Sequence, residues 1–179
     1  ALAQPAEPPR PQVESKPTRS GGAGSVAKDK ATVAPVVQQI VSVIRRTPTG
    51  SAVEWNIAVP EDLQVTLDAS DLAEALGALI ENASRHATSQ VTIRASRRAE
   101  MIAIDVQDDG PGISADRIEH LQKRGARADE SGHGLGLSIS AEIAQAVGGT
   151  LSIANAETGL RVTLILPDAR AGPPGTRRS

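Results

Sequence analysis

Apolar residues along the chain recur with two different periods, and the switches between them lay out a fold. Val36, Val37, Ile40, Val43 and Ile44 in "PVVQQIVSVIRR" recur at helical spacing and predict a helix ending near Thr47-Pro48. "SAVEWNIAV" alternates Val53, Trp55 and Ile57, the pattern of a half-buried strand, and "LQVTL" repeats it more briefly before Asp68. A second helix is expected from Ser70-Asp71, with Ser70 as its N-cap and Leu72, Leu76, Leu79, Ile80 and Ala83 as its buried stripe. "QVTIRAS" and "EMIAIDV" read as two strands joined in a hairpin through the charged "RRAE". A stretch rich in glycine and charge follows from Asp109 to Gly134, with a turn or two of helix around Asp116 to Gln122. "LGLSISAEIAQAV" is helical, with Ile139, Ile143 and Val147 on one face, and Gly148-Gly149 stops it. "TLSIAN" and "LRVTLILP" form a last hairpin through "AETG". Adjacent strands separated by helices predict an α+β fold: a two-layer sandwich in which about three helices cover one face of a mixed sheet.

Composition trims this unit at both ends. Residues 1–34 are rich in Pro, Ala, Gly and Ser and show no apolar period, so they are expected to be a flexible linker. Residues 168–179 read the same way, leaving 35–167 as the folded domain of a 179-residue chain. The chain carries 19 basic and 21 acidic residues. Setting aside the tails, with five basic and three acidic residues at one end and three and one at the other, leaves 11 against 17. A core with net charge −6 argues against nucleic acid as a surface partner. The chain has no cysteine, which removes thiol chemistry and Cys-held metals. It has no apolar run of about 18 residues that could span a bilayer, and direct membrane contact is not expected. Trp55 is the only aromatic residue, so the core must be aliphatic.

Three patches carry candidate chemistry. In "ALGALIENASRHA", Asn82 follows Ala78 by four residues on one helix face, with Arg85 and His86 continuing it at the rim of the apolar stripe. An amide oxygen there is a suitable hard ligand for Mg2+, although taken alone Asn82 reads more readily as a solvated helix residue. In "VQDDGPGI", two acids stand at a strand end before a Gly-Pro-Gly turn. One can accept a hydrogen bond from an exocyclic amine such as that of adenine, while the other caps the turn. The glycines let the backbone approach a flat ring, although an ordinary Asp-Gly turn has the same letters. In "SGHGLGLSIS", Gly132, Gly134 and Gly136 lead into a helix whose free amides suit phosphate oxygens. The spacing fits neither a dinucleotide fingerprint nor a Walker loop, and a plain hinge is the alternative. Arg117, Lys123, Arg124 and Arg127 lie between the last two patches, placed for a lid over a triphosphate.

In this order the patches resemble the ATP-binding domain of sensor histidine kinases, within the GHKL group of ATPases and kinases. "ALGALIENASRHA" is similar to the N box, "VQDDGPGI" to the G1 box, "GHGLGL" to the G2 box, and "RGARADES" to the lid of one kinase subgroup. The resemblance covers nearly all of 35–167. It implies ATP and Mg2+ as cofactors and a mobile ATP lid over 116–131. It implies that Asp108 binds the adenine amine, that Gly110 and Gly112 form the floor under the base, and that Asn82 holds Mg2+. Arg85 would reach a phosphate, with His86 near the ribose or phosphates. Gly132, Gly134, Gly136 and Leu137 would close the phosphate end, with Arg124 and Arg127 as lid contacts. The partners implied are a dimerisation hairpin carrying the phosphoacceptor His and a response regulator, in the cytoplasmic part of a sensor.

The sequence departs from that pattern in places. Ala78 stands where the hydrolytic GHKL members have a Glu that activates water, and an Ala cannot act as a base. The lid lacks the family's Phe residues, for which Ile118 or Leu121 can substitute. None of His86, His120 and His133 is followed by an acidic residue, so no catalytic residue or phosphoacceptor is assigned within the chain. The hairpin is expected outside it, with "ALAQ" as its last residues. The rival readings are a GHKL ATPase or serine kinase, and a non-catalytic nucleotide-binding module derived from a kinase.

Overall fold

The computed structural model describes residues 29–123 and 135–171. Ala31–Thr32 is strand β1, and helix α1, Val33–Ile44, follows it at once. Ordered structure therefore begins before the expected boundary at Pro35. The difference has a physical cause: Ala31, Val33 and Ala34 are all buried, a short apolar lead that composition averaged over a long tail conceals. The stripe of α1 keeps Val36, Val37 and Ile44 buried as expected, with Ile40 packed at the margin, and adds Val33 and Val41, but Val43 is 60% exposed. Helix α1 stops at Ile44, and Pro48 opens a separate short helix, α2, Pro48–Ser51. Thr47 caps α2 by accepting the Gly50 N–H, a favourable use of proline at a first helical position.

Helix α3, Ala69–His86, buries the stripe expected of it, with Ala75 and Ser84 in addition. Its N-cap is Asp68, however, not Ser70: the Asp68 carboxylate accepts the Asp71 N–H at 2.8 Å from an extended backbone, and Ser70 lies inside the helix. The strands are β2 Glu54–Ala58, β3 Gln64–Val65, β4 Gln90–Arg98, β5 Met101–Asp108, β6 Thr150–Asn155 and β7 Leu160–Pro167. Five of them form one sheet in the order β2-β4-β5-β7-β6, with β2 parallel to β4 and every other pair antiparallel. The mixed sheet and the α+β sandwich are as expected. Registered rows such as Ile57, Ile93, Val106, Val162 and Ile153 turn to the helices. The opposite face carries Arg94, Asp105 and Thr163. Fully buried Leu72, Leu76, Ile80, Ile93, Ile104 and Leu164 dominate the core, each stabilising the fold by about 1.5–3 kcal/mol.

The remaining helices are α4, Ala115–Lys123, and α5, Leu135–Ala146. Helix α5 presents a different face from the one its sequence suggests. Leu137, Ser140, Ala141 and Ala144 are buried, while Ile139 is 39% exposed and Ile143 and Val147 only pack at the margin. Size decides this: small side chains let α5 approach α3 closely enough for the buried Ser140 hydroxyl to donate to the Ala75 carbonyl at 2.8 Å. Hydrophobicity alone points to the wrong side of the helix.

A two-stranded sheet of β1 and β3 lies apart from the main one, and Val65 also bridges to Asp168. Thr66 N–H donates to the Pro167 carbonyl and Ala169 N–H to that of Gln64, both at 2.9 Å. Asp168 is 3% exposed and paired with Arg97, so the first residues of the expected C-terminal tail belong to the folded unit. Burial pushes the Asp168 carboxyl upward, but hydrogen bonds from Arg170 and Arg97 outweigh it and hold the group below its ordinary range. Among the described residues no helix is long and apolar enough to cross a membrane.

Candidate functional site

The end of β5 and the start of the loop after it settle what the two adjacent acids do. Asp108 falls on the helix-facing side of the sheet, opposite Val91 in register, and is 4% exposed. Its Oδ1 accepts the Gly110 N–H at 2.8 Å and the Leu160 N–H at 3.3 Å. Oδ2 takes part in neither bond, and Asp108 stands on the wall of a cavity of about 270 Å3. That volume is near the lower end for small-molecule pockets, ~300–1,000 Å3. Asp109 turns the other way. Its Oδ1 accepts backbone N–H groups of Thr88, Ser89 and Gln90 at 2.9 to 3.0 Å, and Oδ2 accepts the Ser89 hydroxyl at 2.5 Å. One acid faces the cavity, and the other ties down the connection from α3 to β4.

Burial pushes the Asp109 carboxyl up, yet the donors of Ser89, Gln90 and Thr88 outweigh it and hold the group far below the usual carboxylate range. A depressed folded-state value stabilises the fold above the unfolded value of about 3.9, and that contribution is lost as pH falls through the folded value. Melts between pH 6 and pH 2 are expected to show wild type losing stability on acidification, with a shallower decline for Asp109→Asn. Parallel declines would detach Asp109 from the acid sensitivity.

Glycine is required beside the acid for reasons of space. A Cβ on Gly110 would lie 2.1 Å from the His86 carbonyl oxygen, so no larger residue fits without moving α3 or the loop. Gly112 has a φ of +69°, and a Cβ there would sit 2.6 Å from Asn155 Oδ1. The loop thus passes backbone-close beneath the cavity, between α3 and the β6–β7 turn.

Asn82 and His86 of α3 line the cavity, opposite Gly112 and Ile113. Leu137 of α5 closes one wall. Asp108, Gly112, Asn82, His86 and Leu137 therefore come together as expected. Arg85 does not line the cavity. It pairs with Glu81 at 3.1 Å on the exposed side of α3, both side chains more than half exposed. This i, i+4 pair holds Arg85 by a modest attraction of about 0.3–0.5 kcal/mol. Gly136 lies in the first turn of α5. Arg124, Arg127, Gly132 and Gly134, with the second half of the expected lid, lie outside the described residues.

Pro111, Ile113 and Leu160, which were not among the sequence candidates, add apolar wall, while Leu121 of α4 and Arg117, both named from the sequence, line the cavity as well. Of the two residues expected to substitute for a lid Phe, Leu121 lines the cavity and Ile118 does not. Asn155, the last residue of β6, and Gly159, in the turn to β7, support the site without lining it. Nothing in the isolated "ANAETG" stretch marks it as anything but a hairpin turn.

The model of the histidine kinase-, DNA gyrase B- and HSP90-like ATPase family matches residues 67–170, which takes in the cavity and all three patches. The chain belongs to this family. Among its relatives is the sensor protein kinase CarS of Pseudomonas aeruginosa, 42% identical over 123 residues, covering 67% of this chain and 27% of CarS. The two-component sensor PhoQ of the same organism is 28% identical over 136 residues, covering 75% of this chain and 30% of its own. The chain thus spans less than a third of the length of these relatives. Among solved structures, a mycobacterial sensor histidine kinase, MprB, superposes with a TM-score of 0.67 at 23% identity, covering 79% of this chain and 98% of that one. The histidine kinase domain of the Escherichia coli osmosensor EnvZ gives 0.63, also at 23% identity, covering 88% and 99%. The domain is of the catalytic ATP-binding type found in two-component sensor histidine kinases.

Proposed function

We propose that this domain binds Mg-ATP and donates the γ-phosphate to a histidine on a separate dimerisation hairpin, from which a response regulator would receive it. The observation that carries the reading is Asp108: a buried carboxylate with one oxygen fixed by two backbone donors and its side chain on the cavity wall. Such an acceptor suits an exocyclic amine on a flat ring, and Gly112 leaves room for the ring below it.

The residues present also fit a magnesium ion. Among the described residues no three His, Asp or Glu side chains converge as a metal cage. A site using one protein ligand, with phosphate and water oxygens supplying the rest, matches how Mg2+ is usually held with nucleotides. Asn82, half-buried on the wall, is the residue that would hold it. When bound, the ion would neutralise charge on the phosphates during transfer. The chain's own part is to grip the base through Asp108, to place the phosphates toward the start of α5, and to exclude water with Leu121, Leu137 and Leu160. Arg117 at the cavity edge adds positive charge near the nucleotide. We place the domain in the cytoplasmic part of a sensor, where ATP is available.

Labelled ATP incubated with this chain and a separately supplied hairpin from its parent kinase tests the reading. Label is expected on the hairpin, dependent on Mg2+ and abolished by excess ADP. A chain that binds ATP but labels no hairpin would instead be a nucleotide-binding module.

A further inference from the structure

The base-binding loop does not hold its own shape; a residue 42 positions further along the chain holds it. The Asn155 side chain accepts the Ile113 N–H at 3.1 Å through Oδ1 and donates from Nδ2 to the Ile113 carbonyl at 2.7 Å. Both polar groups of one residue in an irregular loop are thereby paired by a single amide, in the manner of an added rung of sheet. The same Oδ1 occupies the space that a side chain on Gly112 would need. The turn beside Asn155 is fitted to Asp108 as well. Gly159 has a φ of +77°, a Cβ on it would lie 2.0 Å from the Asp108 carbonyl oxygen, and the next N–H, that of Leu160, donates to Asp108 Oδ1. The fastening extends along β6, the edge of the sheet: two residues earlier, the Ile153 carbonyl accepts Nε2 of Gln122 from α4 at 3.1 Å. The loop and α4 therefore hang from one edge strand.

We infer that Asn155 is a positioning residue that sets the distance between the base-binding loop and Asp108, and so governs which base the cavity accepts. This rests on the nucleotide reading above. The Asn155 amide carries a donor and an acceptor on one flat group and meets both Ile113 groups with them. Asn155→Ala removes both bonds, and Asn155→Asp keeps the acceptor but sets a carboxylate against the Ile113 carbonyl. Neither change touches the core, since Asn155 is exposed.

The test is titration calorimetry with ATP and with GTP, each with Mg2+, on wild type and both variants, alongside melting temperatures and hydrogen exchange at the Ile113 amide. Wild type is expected to prefer ATP. Both variants are expected to melt close to wild type, to exchange the Ile113 amide faster, and to lose about three- to tenfold in ATP affinity. GTP affinity is expected to change much less, so the preference narrows. An equal loss for both nucleotides, or none, would leave Asn155 as a structural residue only and overturn the inference. A lower melting temperature in Asn155→Ala leaves Asn155→Asp, nearly identical in shape, to give the same reading. Wild type with no preference between ATP and GTP would also overturn it, whereas wild type that binds neither would instead defeat the nucleotide reading itself.

Discussion

Replacing Asp108 by Asn is expected to weaken ATP binding roughly ten- to a hundredfold while leaving the fold intact. The surroundings dictate which way the new amide points. Gly110 and Leu160 present two N–H donors to Oδ1, so the amide oxygen must take that position and the NH2 must replace Oδ2. A donor then meets the adenine amine, another donor, and a charge-assisted bond becomes a mismatch worth ~1.5–3 kcal/mol. Calorimetry on the two proteins measures it directly. The same flip favours an acceptor at that point on the base, so GTP, with a carbonyl in place of the amine, is expected to gain relative to ATP. Asp108→Ala is a poorer probe, because it also strands the two backbone donors. Unchanged ATP affinity in Asp108→Asn would remove Asp108 from base recognition.

The contrast between Asp108 and Asp109 shows how far the sequence could be read. Two acids before a Gly-Pro-Gly turn suggested two separate roles, and the resemblance picked out Asp108 as the one at the cavity. That Asp109 would brace the start of β4 instead of capping its own turn was not legible, because its partners Thr88 to Gln90 lie about 20 residues back along the chain. The stripe of α3 was equally plain, its apolar residues being large and regularly spaced. What stayed hidden depended on size or on distance along the chain. The buried face of α5 is made of Ser140, Ala141 and Ala144, whose importance lies in being small against α3. Asn155 acts on a loop far from it in sequence, and an asparagine in a hairpin turn has an adequate local explanation. Arg85, on the helix face expected of it, is drawn outward by Glu81, a pairing that helical spacing allows but does not compel.

That pairing bears on the last expectation, which is that this chain alone binds ATP and keeps it largely uncleaved. Hydrolysis needs a base held beside water in line with the γ-phosphate. The family's hydrolytic members place a Glu one turn before the Asn of the N box, and here that position is Ala78, which has no proton acceptor. Glu81 is the nearest carboxylate in sequence, but one residue before Asn82 is about 100° around the helix. The structure puts it on the exposed side, paired with Arg85 and away from the cavity wall. His86 does line the cavity, yet it is fixed to the last turn of α3, and a transferable phosphate is better received by a histidine that can approach in line and depart. Single-turnover incubation of the chain with labelled ATP is therefore expected to show slow phosphate release and no label on the protein. Ala78→Glu is expected to raise release if the position is placed as in the ATPases. Fast release by the unaltered chain, lost in Glu81→Gln, would show that α3 rearranges around bound nucleotide and would make this domain an ATPase in its own right.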